Sequence, residues 1–126
     1  MINTSNNKKF TVLYVEDETI VRTSVETCLK YLFNVVIAKN GQEGLDKFSK
    51  EEIDLIITDI NMPQKDGISM LRDIKELNPD VPCIITSAFD LTMIEKIKSL
   101  GVCKCISKPF DMKELLNNSI EVLKVS

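Results

Sequence analysis

Five short apolar runs alternate with five stretches of helical periodicity along this chain, and that alternation restricts the fold more than any other feature. The runs are Phe10–Val15, Asn34–Ala38, Ile53–Thr58, Pro82–Thr86 and Cys103–Ser107. They are mostly apolar at consecutive positions, as strands covered on both faces must be. Between the first two, Val21, Val25, Cys28, Leu29 and Leu32 recur at helical spacing from about Glu18 to Leu32. Asn40, with Glu43 three residues on, forms a capping box before a helix whose inner face is Leu45 and Phe48. Ile68, Leu71, Ile74 and Leu77 mark a helix from Gly67 to Leu77, closed by Asn78 and Pro79. Ile94, Ile97 and Leu100 belong to a fourth helix, between an Asp90 cap and Gly101. Asp111 and Glu114 open a fifth, lined by Leu115, Leu116, Ile120 and Leu123. Strands joined through helices run parallel. The pattern therefore predicts an α/β fold, a doubly wound (βα)5 three-layer sandwich around a five-stranded parallel sheet.

A chain of 126 residues, 44% hydrophobic, suffices for one such domain and one core. Residues 10–126 are expected to form it, after a polar tail of residues 1–9, MINTSNNKK. The chain reads as a stand-alone domain with no attached output domain. The tail lacks the apolar segment of a signal peptide, and no run is long enough to span a membrane, so a cytoplasmic, membrane-free protein is expected. Net charge is −3 and no basic stretch is interleaved with aromatics, which argues against a nucleic-acid partner. Cys28, Cys83, Cys103 and Cys105 form no Cys-x-x-Cys pair and sit among apolar neighbours, so buried, reduced thiols are expected. The chain contains no histidine. It cannot run Ser-His or Cys-His catalysis by itself, and any phosphohistidine must belong to a partner.

In open parallel sheets, ligands bind beyond the carboxyl ends of the strands. Glu16 and Asp17 follow the first strand, Asp59 the third, Ser87 the fourth, and Lys108 with Pro109 the fifth. Singly, each has an ordinary explanation: a cap, a loop serine, a solvated lysine. Together they place three carboxylates on one rim. At about 4 Å and an effective dielectric near 20, each like-charge pair costs roughly 4 kcal/mol. Such a rim either protonates a carboxylate or takes up a cation, and a hard divalent ion such as Mg²⁺ suits oxygen ligands. An aspartate beside a metal, a hydroxyl and a lysine is equipped to accept a phosphoryl group.

The motifs LYVEDE, IITDINMPQKDGI, IITSA and CISKPF, in this order over the chain from Phe10 onward, resemble those of response-regulator receiver domains, the CheY-like family. The resemblance implies roles for individual residues. Asp59 matches the phosphoacceptor. Asp17 matches the direct ligand of Mg²⁺ (or Mn²⁺), and Glu16 its neighbour acting through water. Asn61 supplies a backbone carbonyl to the metal. Ser87 matches the switch hydroxyl and Lys108 its partner, with a Lys108–Pro109 bond often cis in the family. Met62, Pro63 and Gly67 match the loop beside the acceptor. Asn61 and Phe89 occupy positions that tune phosphoryl lifetime, and an aromatic at Phe89 is expected to shield the acyl phosphate. The family's rotating aromatic is replaced by Cys105, so activation is expected to run through Ser87 and the loop from Ser87 to Asp90. The implied donor is a sensor histidine kinase or a histidine phosphotransfer protein. The implied output is a downstream protein target docking on the fourth helix, fifth strand and fifth helix, where Met93, Lys96, Lys104, Met112 and Lys113 are expected. The domain is not an enzyme in the ordinary sense, beyond Mg²⁺-dependent self-phosphorylation and autodephosphorylation.

Three other readings compete. A haloacid-dehalogenase phosphatase needs a second aspartate two residues after the first, where this chain has Asn61. A flavodoxin-like nucleotide binder needs a phosphate loop after the first strand, where Glu16 and Asp17 would repel phosphate. A phosphorylation-independent interaction module remains open.

Overall fold

The computed structural model describes residues 9–88, 91–102 and 104–125. The strands are β1 (Thr11–Val15), β2 (Asn34–Ala38), β3 (Leu55–Thr58), β4 (Cys83–Ser87) and β5 (Lys104–Ser107). The helices are α1 (Thr19–Leu29), α2 (Gly41–Lys50), α3 (Gly67–Leu77), α4 (Leu91–Ser99) and α5 (Met112–Val125). All strand pairs are parallel, in the order β2-β1-β3-β4-β5. This is the doubly wound architecture that the alternation implies.

Strand side chains alternate between two cores because successive Cβ atoms point to opposite faces. Leu13, Val15, Ile56, Cys83 and Ile85 meet α2, α3 and α4 through residues such as Leu45, Phe48, Ile74 and Ile97. Val12, Tyr14, Leu55, Ile57, Ile84 and Ile106 meet α1 and α5 through Val25, Leu29, Leu115 and Val122. Each core removes a dozen or so side chains from water, each stabilising the fold by about 1.5–3 kcal/mol before the entropy cost.

The capping signals act as the sequence implies. The Asn40 carboxamide oxygen accepts from the Glu43 N–H at 2.9 Å. The return bond from Glu43 goes to the Lys39 N–H, one residue earlier than in an ideal box. Asp111 accepts from the Glu114 N–H at 2.7 Å. Gly101 ends α4 at φ 68, a conformation that favours glycine. Asp66 caps α3 by accepting from Ser69 N–H at 2.8 Å, a role that no sequence pattern singled out.

Some expectations are corrected. α1 stops at Leu29, three residues short of Leu32, where the Leu32 and Phe33 N–H groups both turn back to the Leu29 carbonyl. Leu77, the last residue of α3, is 61% exposed and does not join the inner face. Cys83 is buried and Cys28 half-buried, but Cys105 is exposed, since β5 is an edge strand. Residues 1–8, Phe89, Asp90, Cys103 and Ser126 lie outside the described residues, and with them most of the expected tail, the lifetime position at Phe89, the expected α4 cap and one thiol.

Candidate functional site

The sheet order reverses direction between β1 and β3, which opens a crevice at their carboxyl ends. Val15 stands opposite Thr58, so the next residues, Glu16 and Asp59, leave adjacent strands side by side. The Asp59 N–H continues the ladder to the Val15 carbonyl at 3.1 Å. Carboxylate oxygens of Glu16, Asp17 and Asp59 all lie within 4.8 Å of one another. Glu16 is fully buried and Asp59 only 8% exposed, while Asp17 is half-buried.

Lys108 comes to this pair from β5, two strands beyond β3. Its Nζ contacts Glu16 Oε1 at 2.8 Å and Asp59 Oδ2 at 3.0 Å. Its own N–H bonds the Ser87 carbonyl at 3.0 Å, tying it to the end of β4. The Lys108–Pro109 bond is cis. Ser87 is buried at that strand end. The remaining carboxylate oxygens are also engaged. Glu16 Oε2 accepts from the Glu18 N–H at 3.1 Å, and Asp59 Oδ1 from the Ile60 N–H at 2.7 Å.

Burial pushes the Glu16 carboxyl above its ordinary range; hydrogen bonds from Lys108 and the Glu18 N–H oppose this, and the charge of Asp59 adds to it. Burial alone would lower the Lys108 pKa, but hydrogen bonds and charge from Glu16 and Asp59 outweigh it, so the ammonium is held more firmly than usual. Under the site, burial first and then Glu16 and Asp59 push the Tyr14 phenol upward, keeping it neutral.

Two loops hold the acids in place. Arg22, one turn into α1, donates to the carbonyls of Glu16 at 2.9 Å and Asp17 at 3.3 Å. No sequence pattern pointed to this residue. The loop after Asp59 carries the exposed Asn61 and the half-buried Met62, then closes in a tight turn at Gln64, whose φ is 66. It rejoins α3 at Gly67, whose N–H bonds the Ile60 carbonyl at 2.8 Å. A Cβ there would overlap the Asp59 carbonyl oxygen, so only glycine allows the approach.

The expected docking residues divide. Lys96 and Lys113 are exposed, and Lys104 pairs with Glu121 at 2.7 Å on the surface. Met93 and Met112 are half-buried against the two cores and do not stand free. Cys105 lies exposed on β5, and partial desolvation raises its thiol pKa, so the thiol form is favoured.

The doubly wound sheet thus brings three carboxylates and a shared lysine together at its switch point, an oxygen donor set of the kind that suits a hard divalent cation. The chain belongs to the response regulator receiver domain family, whose model matches residues 12–119. It is 34% identical over 107 residues to Transcriptional regulatory protein ZraR of Klebsiella oxytoca, covering 82% of this chain and 24% of that protein. The chain thus spans about a quarter of the length of that relative. It is also 34% identical over 106 residues to Sporulation initiation phosphotransferase F of Bacillus subtilis (strain 168), covering 82% of this chain and 86% of that one. Among solved structures, a CheY-like receiver domain protein from Methanospirillum hungatei JF-1 matches with a TM-score of 0.90 at 27% identity, covering 94% of this chain and 96% of that one. A CheX-CheY-BeF3-Mg+2 complex from Borrelia burgdorferi contains a chain matching with a TM-score of 0.88 at 28% identity, covering 96% and 94%. Receiver domains are phosphoacceptor signalling domains and not classical enzymes. Among the described residues, no helix is long and apolar enough to cross a membrane.

Proposed function

We propose that this protein is a two-component response regulator that accepts a phosphoryl group on Asp59 from a partner phosphohistidine and signals by phosphorylation-dependent protein binding. The observation that carries the reading is the Lys108 ammonium bridging Glu16 and Asp59, with Asp17 beside them. Three oxygen donors so close, two of them buried and, among the described residues, Lys108 the one cation paired with them, suit a hard divalent ion, Mg²⁺ or Mn²⁺. Glu16, Asp17 and Asp59, with the Asn61 carbonyl, would hold it. The metal supplies positive charge that stabilises the transferring phosphoryl oxygens.

The chain's own groups do the rest. An Asp59 carboxylate oxygen forms the new O–P bond while the donor's N–P bond breaks, its electron pair staying with the imidazole. Lys108, kept protonated by its two carboxylate partners, offers a second positive charge to the phosphoryl oxygens. Ser87, whose carbonyl accepts the Lys108 N–H, would donate its hydroxyl to the phosphoryl group and so favour the active conformation. Because Cys105 offers no ring to rotate, the signal travels through Ser87 and the loop beyond it to a protein target on the face of α4, β5 and α5. A chain without histidine carries no phosphohistidine of its own, so a histidine donor would be a partner kinase or phosphotransfer protein.

The test is intact mass after incubation with Mg²⁺ and a small acyl-phosphate donor, for the natural chain and Asp59→Asn. One added phosphoryl group on the natural chain alone is expected. Equal addition to both would move the acceptor elsewhere. No addition from this donor or from a panel of phosphohistidine proteins would favour the phosphorylation-independent module.

A further inference from the structure

The loop from Asn61 to Lys65 meets the start of α2 at Gly41. The Gly41 N–H, one of the N–H groups that a helix start leaves without an internal partner, donates to the Lys65 carbonyl at 2.8 Å. Gly41 is buried there. A Cβ on it would overlap the Lys65 carbonyl and stand 2.9 Å from the Asp66 carbonyl oxygen, both backbone atoms that cannot rotate aside. On its other side the same loop is held by Lys65, whose Nζ pairs with Asp73 of α3 at 2.7 Å. Between these points the Lys65 N–H bonds the Pro63 carbonyl at 2.7 Å across Gln64, a three-residue turn with positive φ. Turns of this kind are strained and do not hold themselves.

We infer that Gly41 is a positioning residue for the metal and phosphoryl site: its N–H and its missing side chain clasp the Asn61–Lys65 loop against α2 and so set the place of Asn61 beside Glu16, Asp17 and Asp59. The inference rests on the reading of those residues as a metal site. It assigns a role to α2, an element that contributes no side chain to the carboxylate cluster. Displacing the loop leaves the three carboxylates and Lys108 intact but moves the fourth oxygen donor. The consequence is a loss of metal affinity without loss of the acceptor.

Gly41→Ala is compared with Gly44→Ala by Mg²⁺ titration, followed by amide NMR shifts, with Tm recorded for each. Gly44 lies one turn on, and the three atoms nearest to a Cβ there belong to Met70 and Val15 rather than to the loop. Gly41→Ala should bind Mg²⁺ about tenfold more weakly, the lower end of the range for a lost supporting contact at a metal site. Its shift changes should concentrate at Asn61–Asp66, and Gly44→Ala should bind as the natural chain does. A folded Gly41→Ala with natural affinity overturns the inference, as does an equal loss in both variants, which would report a general shift of α2. If Gly41→Ala does not fold, Asp73→Asn decides. It removes the loop's ion pair at a surface position and should weaken Mg²⁺ binding by roughly two- to threefold, and unchanged binding overturns the clasp. A natural chain that binds no Mg²⁺ overturns the reading of the site itself, an outcome separate from all of these.

Discussion

Replacing Lys108 by methionine isolates the electrostatics of the site. The variant keeps most of the aliphatic stem and removes the ammonium shared by Glu16 and Asp59. Their oxygens lie within 4.8 Å. At that distance two unit charges repel by about 3.5 kcal/mol with an effective dielectric near 20. Losing one partner of a buried ion pair costs about 3–5 kcal/mol, in the same range. Glu16 has an escape, because burial already raises its carboxyl pKa and loss of Lys108 raises it further. A carboxyl whose folded pKa lies above its unfolded one binds more protons in the native state. Its stabilising contribution is therefore full below the unfolded value and is lost as pH rises through the folded value. The deficit of Lys108→Met should be about 3 kcal/mol near pH 8. It should shrink near pH 5, just above the ordinary glutamate value of about 4.3. Urea denaturation followed by far-UV circular dichroism, in chelator, measures it; the chain has no tryptophan to report instead. Mg²⁺ at about 100 times its Kd should return about 2.7 kcal/mol to whichever protein binds it. A deficit of the same size at both pH values, or none at all, would refute the argument that Lys108 offsets a buried like-charge pair.

Two further outcomes test the signalling reading. Phosphorylated Ser87→Ala should bind its protein target more weakly than the phosphorylated natural chain, and equal affinities would remove Ser87 from the relay. Phe89→Glu should lose its phosphoryl group faster in a mass-spectrometric time course, because a charged side chain cannot shield the acyl phosphate from water, and an unchanged lifetime would exclude that role.

Local chemistry made much of this legible from sequence. Asn40 and Asp111 each accept the predicted N–H, because a cap depends only on residues three apart. The consecutive apolar runs foretold a sheet covered on both faces, since parallel strands have no solvent face on which to alternate. Glu16, Asp17, Asp59 and Lys108 follow the carboxyl ends of their strands and Ser87 closes β4, one residue later than its apolar run implies, and the doubly wound topology makes those ends a single place. What local pattern does not encode is distance between elements. That Glu16 is fully buried while Asp17 is half-buried, and that Lys108 chooses Glu16 and Asp59, comes from strand register and from a lysine entering two strands away. Arg22 holding two carbonyls, and Gly41 meeting Lys65, are contacts between segments whose spacing in sequence has no period to read. Cys105 and Leu77 differ from expectation for the same reason: an apolar neighbourhood in sequence becomes burial only where another layer covers it, and β5 lies at the sheet edge while Leu77 is the last residue of α3. The sequence by itself determined which elements form and which chemistry reaches the rim, because those depend on periodicity and on residues a few positions apart. Only the tertiary structure decided which charges meet, which are desolvated and what holds the loops around them, because those are set by packing between parts of the chain far apart in sequence.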